Sequence, residues 1–190
     1  VVAIAASTGG PTALVKVLGR ISPEVGAAFL VVQHMSRGFL EGLVRWLDNE
    51  VELEVRKAQE GDLLEAGVVL VAPGDHHMMV TELDSVRLNK SLPINGHRPS
   101  AEVLFDSVAN NYGNRGVGVI LTGMGSDGAE GLKSIRLCGG HTIAQDEQTS
   151  IIFGMPKAAI ELDAAEIILP LDEIGPEIMK WVSEQEDSKN

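Results

Sequence analysis

Val1-Val2-Ala3-Ile4-Ala5-Ala6-Ser7-Thr8-Gly9-Gly10-Pro11 begins with six apolar residues, then two hydroxyls, two glycines and a proline. An apolar run of strand length with no polar alternation is the pattern of a strand buried on both faces, as in a parallel sheet. The glycines free the backbone for a tight turn. Pro11 suits the first turn of a helix, where its missing N–H costs nothing. A buried strand that turns through polar residues into a helix is the repeating unit of doubly wound α/β sheets.

The rest of the chain repeats that rhythm. Apolar, β-branched runs at 28–33, 51–55, 68–72, 117–122, 141–145 and 166–169 read as further strands, giving about seven. Leu40, Leu43, Val44 and Leu47 recur at i, i+3, i+4 and i+7, the stripe of an amphipathic helix. Pro99 opens a helix on which Leu104 and Val108 share a face, with Gly113 at its end. Further helices are expected near 11–19, 128–138, 156–163 and 171–184. The fold class is therefore α/β, a doubly wound and mainly parallel sheet, in a single domain over residues 1–190. One stretch departs from the rhythm: two short runs within 78–90 flank Leu83-Asp84-Ser85, a β-hairpin projecting from the sheet. The polar residues 183–190 read as a frayed tail. Val1 already stands in a strand, so the chain is expected to be cut from something longer.

Composition narrows the partners. Net charge is −12, with 15 Lys and Arg against 27 Asp and Glu. Nucleic acids and anionic membrane surfaces need a cationic face, so neither is an expected partner. No apolar run approaches the ~20 residues of a membrane-spanning helix, and no signal peptide opens the chain, so a cytoplasmic location is expected. Cys138 is the only cysteine, which excludes an internal disulfide. Next to Gly139-Gly140 it reads as a small buried residue.

In a parallel sheet the C-terminal strand ends share one edge, where ligands bind, so the residues that end each apolar run are the informative ones. The first strand ends in Ser7, the second in Gln33-His34, and the run at 117–122 leads into Gly123-Met124-Gly125-Ser126-Asp127-Gly128. A hydroxyl, an imidazole and a carboxylate thus arrive at one edge from three strands, the set needed for nucleophilic acyl transfer. Taken singly, each has a plainer reading. Ser7 can be a turn residue, His34 a structural histidine, and Asp127 an N-cap completed by Glu130 three residues on. The cap and triad roles of Asp127 are compatible, because a helix N-terminus favours an ionised carboxylate. The glycine turns suit backbone N–H groups aimed at an oxyanion or at a phosphate. A Rossmann-like phosphate- or nucleotide-binding module without hydrolase activity is the alternative. It is weakened by the absence of the G-x-G-x-x-G and G-x-x-x-x-G-K-[ST] patterns. Asp75, His76 and His77 also follow a strand and lie at the mouth of the expected site. Adjacent side chains diverge in extended chain, so no metal and no cofactor is assigned. His97 and His141 have no evident partner. Arg98, one of few cations, is a candidate for orienting an acidic substrate segment or for a structural ion pair.

Seven stretches, in order along nearly the whole chain, resemble the chemotaxis protein-glutamate methylesterase (CheB) family. They are Ala6-Ser7-Thr8-Gly9-Gly10, Val31-Val32-Gln33-His34-Met35, Ala72-Pro73-Gly74-Asp75, Arg98-Pro99-Ser100 with Val103-Leu104-Phe105, Leu121-Thr122-Gly123-Met124-Gly125-Ser126-Asp127-Gly128, Gln145-Asp146-Glu147, and Phe153-Gly154-Met155-Pro156. The resemblance implies a methylesterase and glutamine deamidase acting on the cytoplasmic helices of chemoreceptors. It implies Ser7 as nucleophile, His34 as base and Asp127 as orienting acid, with the Met124 N–H as oxyanion donor and Thr8 beside the nucleophile. It also implies regulation by an upstream phosphorylatable receiver domain and its histidine kinase.

Overall fold

The computed structural model describes residues 1–187. Strands β1 (Val2–Ala6), β2 (Phe29–Gln33), β3 (Glu54–Lys57), β4 (Val68–Val71), β7 (Val117–Ile120), β8 (His141–Gln145) and β9 (Ile167–Leu169) form one sheet in the order β3-β4-β2-β1-β7-β8-β9. Every pairing in it is parallel. From β1 the chain builds outward first on the β2 side and later on the β7 side. The order therefore reverses at β1, and the crevice of such a sheet lies at the C-terminal end of that strand.

Residue alternation along β1 sorts the core into two layers. Val2, Ile4 and Ala6 face a cluster built from α1 (Gly10–Leu18), α2 (Leu40–Glu50) and α6 (Leu171–Asp187). Ala3 and Ala5 face a second cluster built from α3 (Ala101–Tyr112), α4 (Ala129–Leu137) and α5 (Met155–Glu161), with Phe105 among its largest fully buried side chains. The doubly wound architecture and the seven strands read from the sequence are both present.

The hairpin is a separate two-stranded antiparallel sheet of β5 (His77–Val80) and β6 (Val86–Asn89). The hairpin lies outside the main sheet as expected, and Met78, Val80 and Val86 are buried in the second cluster, packing it over α3. Two boundaries differ from the sequence reading. The strand expected at 51–55 lies at Glu54–Lys57, because Val51 closes α2 and the Asp48 carboxylate holds the Val55 N–H at 2.8 Å. The segment read as a tail from Ser183 is helical through Asp187, and 188–190 lie outside the described residues. Among the described residues, no helix is long and apolar enough to cross a membrane.

Candidate active site

Ser7 and His34 occupy equivalent positions on neighbouring strands. Ala6 pairs with Gln33 in register, and each chain then takes one more step. The His34 N–H donates to the Ala6 carbonyl at 2.9 Å, and the Ser7 N–H donates to Thr122 beyond β7 at 3.0 Å. Ser7 is therefore held between the two strands that carry the other candidates. Its side is kept open by glycine: a Cβ on Gly123 would sit 2.7 Å from Ser7 Cβ. Only a residue without a side chain lets the 123–128 turn run against the serine.

That turn delivers Asp127 to the imidazole. His34 Nε2 lies 2.8 Å from Asp127 Oδ2, and the Asp127 side chain is almost wholly buried. Its second helix partner differs from the sequence expectation. The N-cap of α4 is Gly128 and no side chain caps that helix, so Asp127 and Glu130 form no capping pair. Asp127 instead serves the start of α3, accepting the Ala101 N–H at 2.7 Å and the Ser100 hydroxyl at 2.6 Å. Burial pushes the Asp127 carboxyl up. The hydrogen bonds from His34, Ser100 and Ala101 outweigh that and hold it below the ordinary aspartate value. An ionised carboxylate at Nε2 fixes the neutral ring as the Nε2–H tautomer. His34 Nδ1 is buried and has no partner in the structure, so the lone pair that can accept a proton lies there.

The Met124 peptide is oriented from the other side. The Gly123 carbonyl accepts the N–H groups of Gly154 and Met155, at 3.1 and 2.8 Å, where α5 begins. In a trans peptide the N–H points opposite to the carbonyl, so the Met124 N–H faces away from α5. Thr8 is exposed beside Ser7, and its carbonyl accepts the Thr122 hydroxyl at 3.0 Å.

Several groups in the site gave no clear signal in sequence. Gln33 ends β2 and its amide nitrogen donates to the carbonyls of Ser7 (2.8 Å) and His34 (2.9 Å), clamping both turns. Gln145 plays the matching part at the end of β8, accepting the Thr122 N–H at 2.8 Å. Both are polar residues closing apolar strands, which is the one sequence feature they share with the triad candidates. His97, read as lacking a partner, stacks on His34 with centroids 4.0 Å apart and planes 11° apart. Burial, then the neighbouring His34 charge, depresses its pKa.

Arg98 lies near the site, in a hollow of about 150 Å³ shared with His34, Met35, Gly96, His97 and Pro99. Its guanidinium donates to the backbone carbonyls of Lys90 and Ser91, at 3.2 and 3.0 Å, tying down the exit of the hairpin. His76 pairs with Asp75 at 2.8 Å, whereas His77 is fully buried, with both ring nitrogens in hydrogen bonds. The pair diverges as extended chain requires, and among the described residues no three metal-ligating side chains converge. His141 is also partnered, by Glu166 at 2.9 Å and by stacking on Trp181. Cys138, at the C-cap of α4, is exposed and not buried.

The glycines at the start of α1 are occupied by packing. Gly9 has φ +82°, and a Cβ there would meet Ile151 at 2.8 Å; one on Gly10 would run into Gln33. Contacts this close leave little of the open cradle that a phosphate needs. What the site does hold is a hydroxyl, an imidazole with an unpartnered acceptor, an ionised carboxylate behind it and a backbone N–H at Met124 turned away from α5. Such a set can perform acyl transfer at an ester or amide.

Comparison with known proteins points the same way. The sequence model described as CheB methylesterase matches residues 2–178. The chain is 46 % identical over 177 residues to protein-glutamate methylesterase/protein-glutamine glutaminase 2 of Burkholderia orbicola, covering 93 % of this chain and 53 % of that protein. It is 51 % identical to the Anaeromyxobacter dehalogenans protein of the same description, over 92 % of this chain and 51 % of that one. Protein-glutamate methylesterase FrzG of Myxococcus xanthus is 46 % identical, over 95 % and 54 %. The chain spans about half the length of these curated relatives. The Thermotoga maritima CheB methylesterase catalytic domain superposes with a TM-score of 0.91 at 38 % identity, over 94 % of this chain and 96 % of that one.

Proposed function

Because the chain belongs to the CheB methylesterase family, we propose that it hydrolyses glutamate methyl esters on the cytoplasmic helices of chemoreceptors, and deamidates glutamines there, through Ser7, His34 and Asp127. The observation that carries the reading is the 2.8 Å contact of His34 Nε2 with a buried carboxylate, which leaves Nδ1 unpartnered on a residue whose strand end adjoins that of Ser7. Ser7 attacks the ester carbonyl while Nδ1 takes its proton. The oxyanion of the tetrahedral intermediate is met by the Met124 N–H. His34 returns the proton to the departing methoxide, methanol leaves, and a glutamyl ester remains on Ser7. Water, activated by the same imidazole, releases the glutamate. With a glutamine substrate the leaving group is ammonia.

Thr8 borders the substrate at the nucleophile. Arg98, besides its backbone bonds, offers positive charge to an acidic receptor segment. The resemblance adds an upstream receiver domain, phosphorylated by a histidine kinase, as regulator, and a cytoplasmic location, where the receptor helices are. A methanol-release assay on methylated receptor tests the reading. Ser7→Ala should lower the rate by several orders of magnitude, since the members of such a triad act as a unit. Arg98→Ala should slow the receptor more than a small neutral ester. A phosphodonor should speed the parent protein that carries the receiver. Near-normal release by Ser7→Ala would contradict the assignment, equal losses on both substrates would leave Arg98 structural, and an unmoved rate would remove the regulator.

A further inference from the structure

Asp127 has two carboxylate oxygens, and Oδ2 alone receives His34 and the Ala101 N–H. Oδ1 is engaged by one group, the Ser100 hydroxyl at 2.6 Å, and Ser100 is fully buried. Ser100 is the N-cap residue of α3, yet its side chain makes no cap bond within that helix. An N-cap serine ordinarily accepts the N–H of the second or third helical residue. Here the hydroxyl is turned outward to donate across the helix boundary.

The backbone of Ser100 is itself anchored. Its N–H donates to His77 Nδ1 at 3.2 Å, and His77 Nε2 lies 3.2 Å from the Leu92 carbonyl. A ring that accepts at Nδ1 carries its proton at Nε2, so the imidazole is neutral and its tautomer is fixed at both ends. His77 comes from β5 of the hairpin, and is fully buried on a strand that carries no member of the proposed triad. A continuous series of hydrogen bonds thus runs from Leu92 through His77, Ser100 and Asp127 to His34.

We propose that Ser100 is a positioning residue for the triad and that His77 is its anchor, an inference that rests on the proposed esterase reading. The Ser100 hydroxyl stops the carboxylate rotating about its Cβ–Cγ bond, so that Oδ2 stays aligned with His34 Nε2. It also draws charge off the carboxylate, which limits how strongly Asp127 holds the imidazole in its protonated form. Removing the hydroxyl should therefore loosen the base and raise the affinity of His34 for its proton.

The test uses the whole chain and a glutamate γ-methyl ester peptide, with kcat and KM followed across pH. Ser100→Ala should lower kcat on the order of 10- to 100-fold, the effect of losing one hydrogen bond to a charged group, with KM changed less than about threefold. The acid limb of its kcat/KM profile should move to higher pH. Ser100→Thr, which keeps the hydroxyl, should recover most of the rate. His77→Leu should reproduce the Ser100→Ala profile, whereas His77→Asn, whose carbonyl oxygen stands near the place of Nδ1, should recover much of it. A Ser100→Ala rate within threefold of the parent, or a uniform loss with an unmoved acid limb, would overturn the proposal. Ser7→Ala run alongside separates the two levels: if it turns over normally the esterase reading fails, and if it is inactive the result for Ser100 stands on its own.

Discussion

At the scale of single residues, the proposed base is defined as much by its neighbours as by its own chemistry. His34 has a carboxylate at Nε2, an unpartnered Nδ1, and a second imidazole stacked on its face. Burial and the neighbouring His34 hold the His97 pKa below the ordinary imidazole value, so His97 resists protonation. That depression also bears on stability. The unfolded imidazole, with a pKa near 6.5, binds protons at a pH where the folded His97 does not. Its contribution is complete above about pH 6.5 and is lost as pH falls through that value toward the lower folded one. His97→Phe keeps an aromatic face without a titrating group. Urea unfolding of both proteins at pH 8 and pH 5.5 should show the parent losing more stability on acidification than the variant. Parallel losses would show that His97 is not depressed in the folded state.

Elements place these residues, and the meeting of α3 with α4 is the tightest case. Gly128 has φ +92°, and a Cβ there would lie 2.8 Å from Ala101 Cβ and 3.2 Å from the Phe105 ring. The first turn of α3 can approach Asp127 closely enough to donate two hydrogen bonds because position 128 has no side chain. Gly128→Ala should cost about 2–4 kcal/mol, the sum of left-handed backbone strain and overpacking, and should lower activity by pushing Ser100 and Ala101 off the carboxylate. Gly125→Ala is the control, with φ +91° but open space around it. Thermal unfolding that ranks the two variants equal would dispose of the packing argument. Much of this level is legible in sequence: apolar runs without alternation mark the parallel strands, and the polar residues at or just beyond their ends supply the candidates Ser7, His34 and Asp127, of which the structure joins His34 to Asp127. The rest depended on approach between distant segments. Nothing local marks Ser100 as turned toward Asp127 and not capping its own helix, or places His97 on His34 across 62 intervening positions. The Val51–Val55 run looked like a strand because its composition suits one, but the bond from Asp48 to Val55 moves the boundary.

Across the whole molecule, the sheet order converts scattered sequence into one site. Because the order turns back at β1, the ends of β2, β1 and β7 adjoin, and His34, Ser7 and Asp127 are brought together from positions far apart in the chain. A net charge of −12 disfavours acidic ligands, which gives Arg98, in the hollow beside His34, its interest. The central claim is that Ser7 is an activated nucleophile, and covalent labelling tests it most directly. After treatment with a fluorophosphonate, mass spectrometry should find one adduct, on the peptide that contains Ser7. It should be absent from Ser7→Ala and formed at least about 100-fold more slowly in Asp127→Asn, where the amide no longer supports the required tautomer and charge. An unlabelled parent protein, or an adduct that persists in Ser7→Ala, would contradict the account.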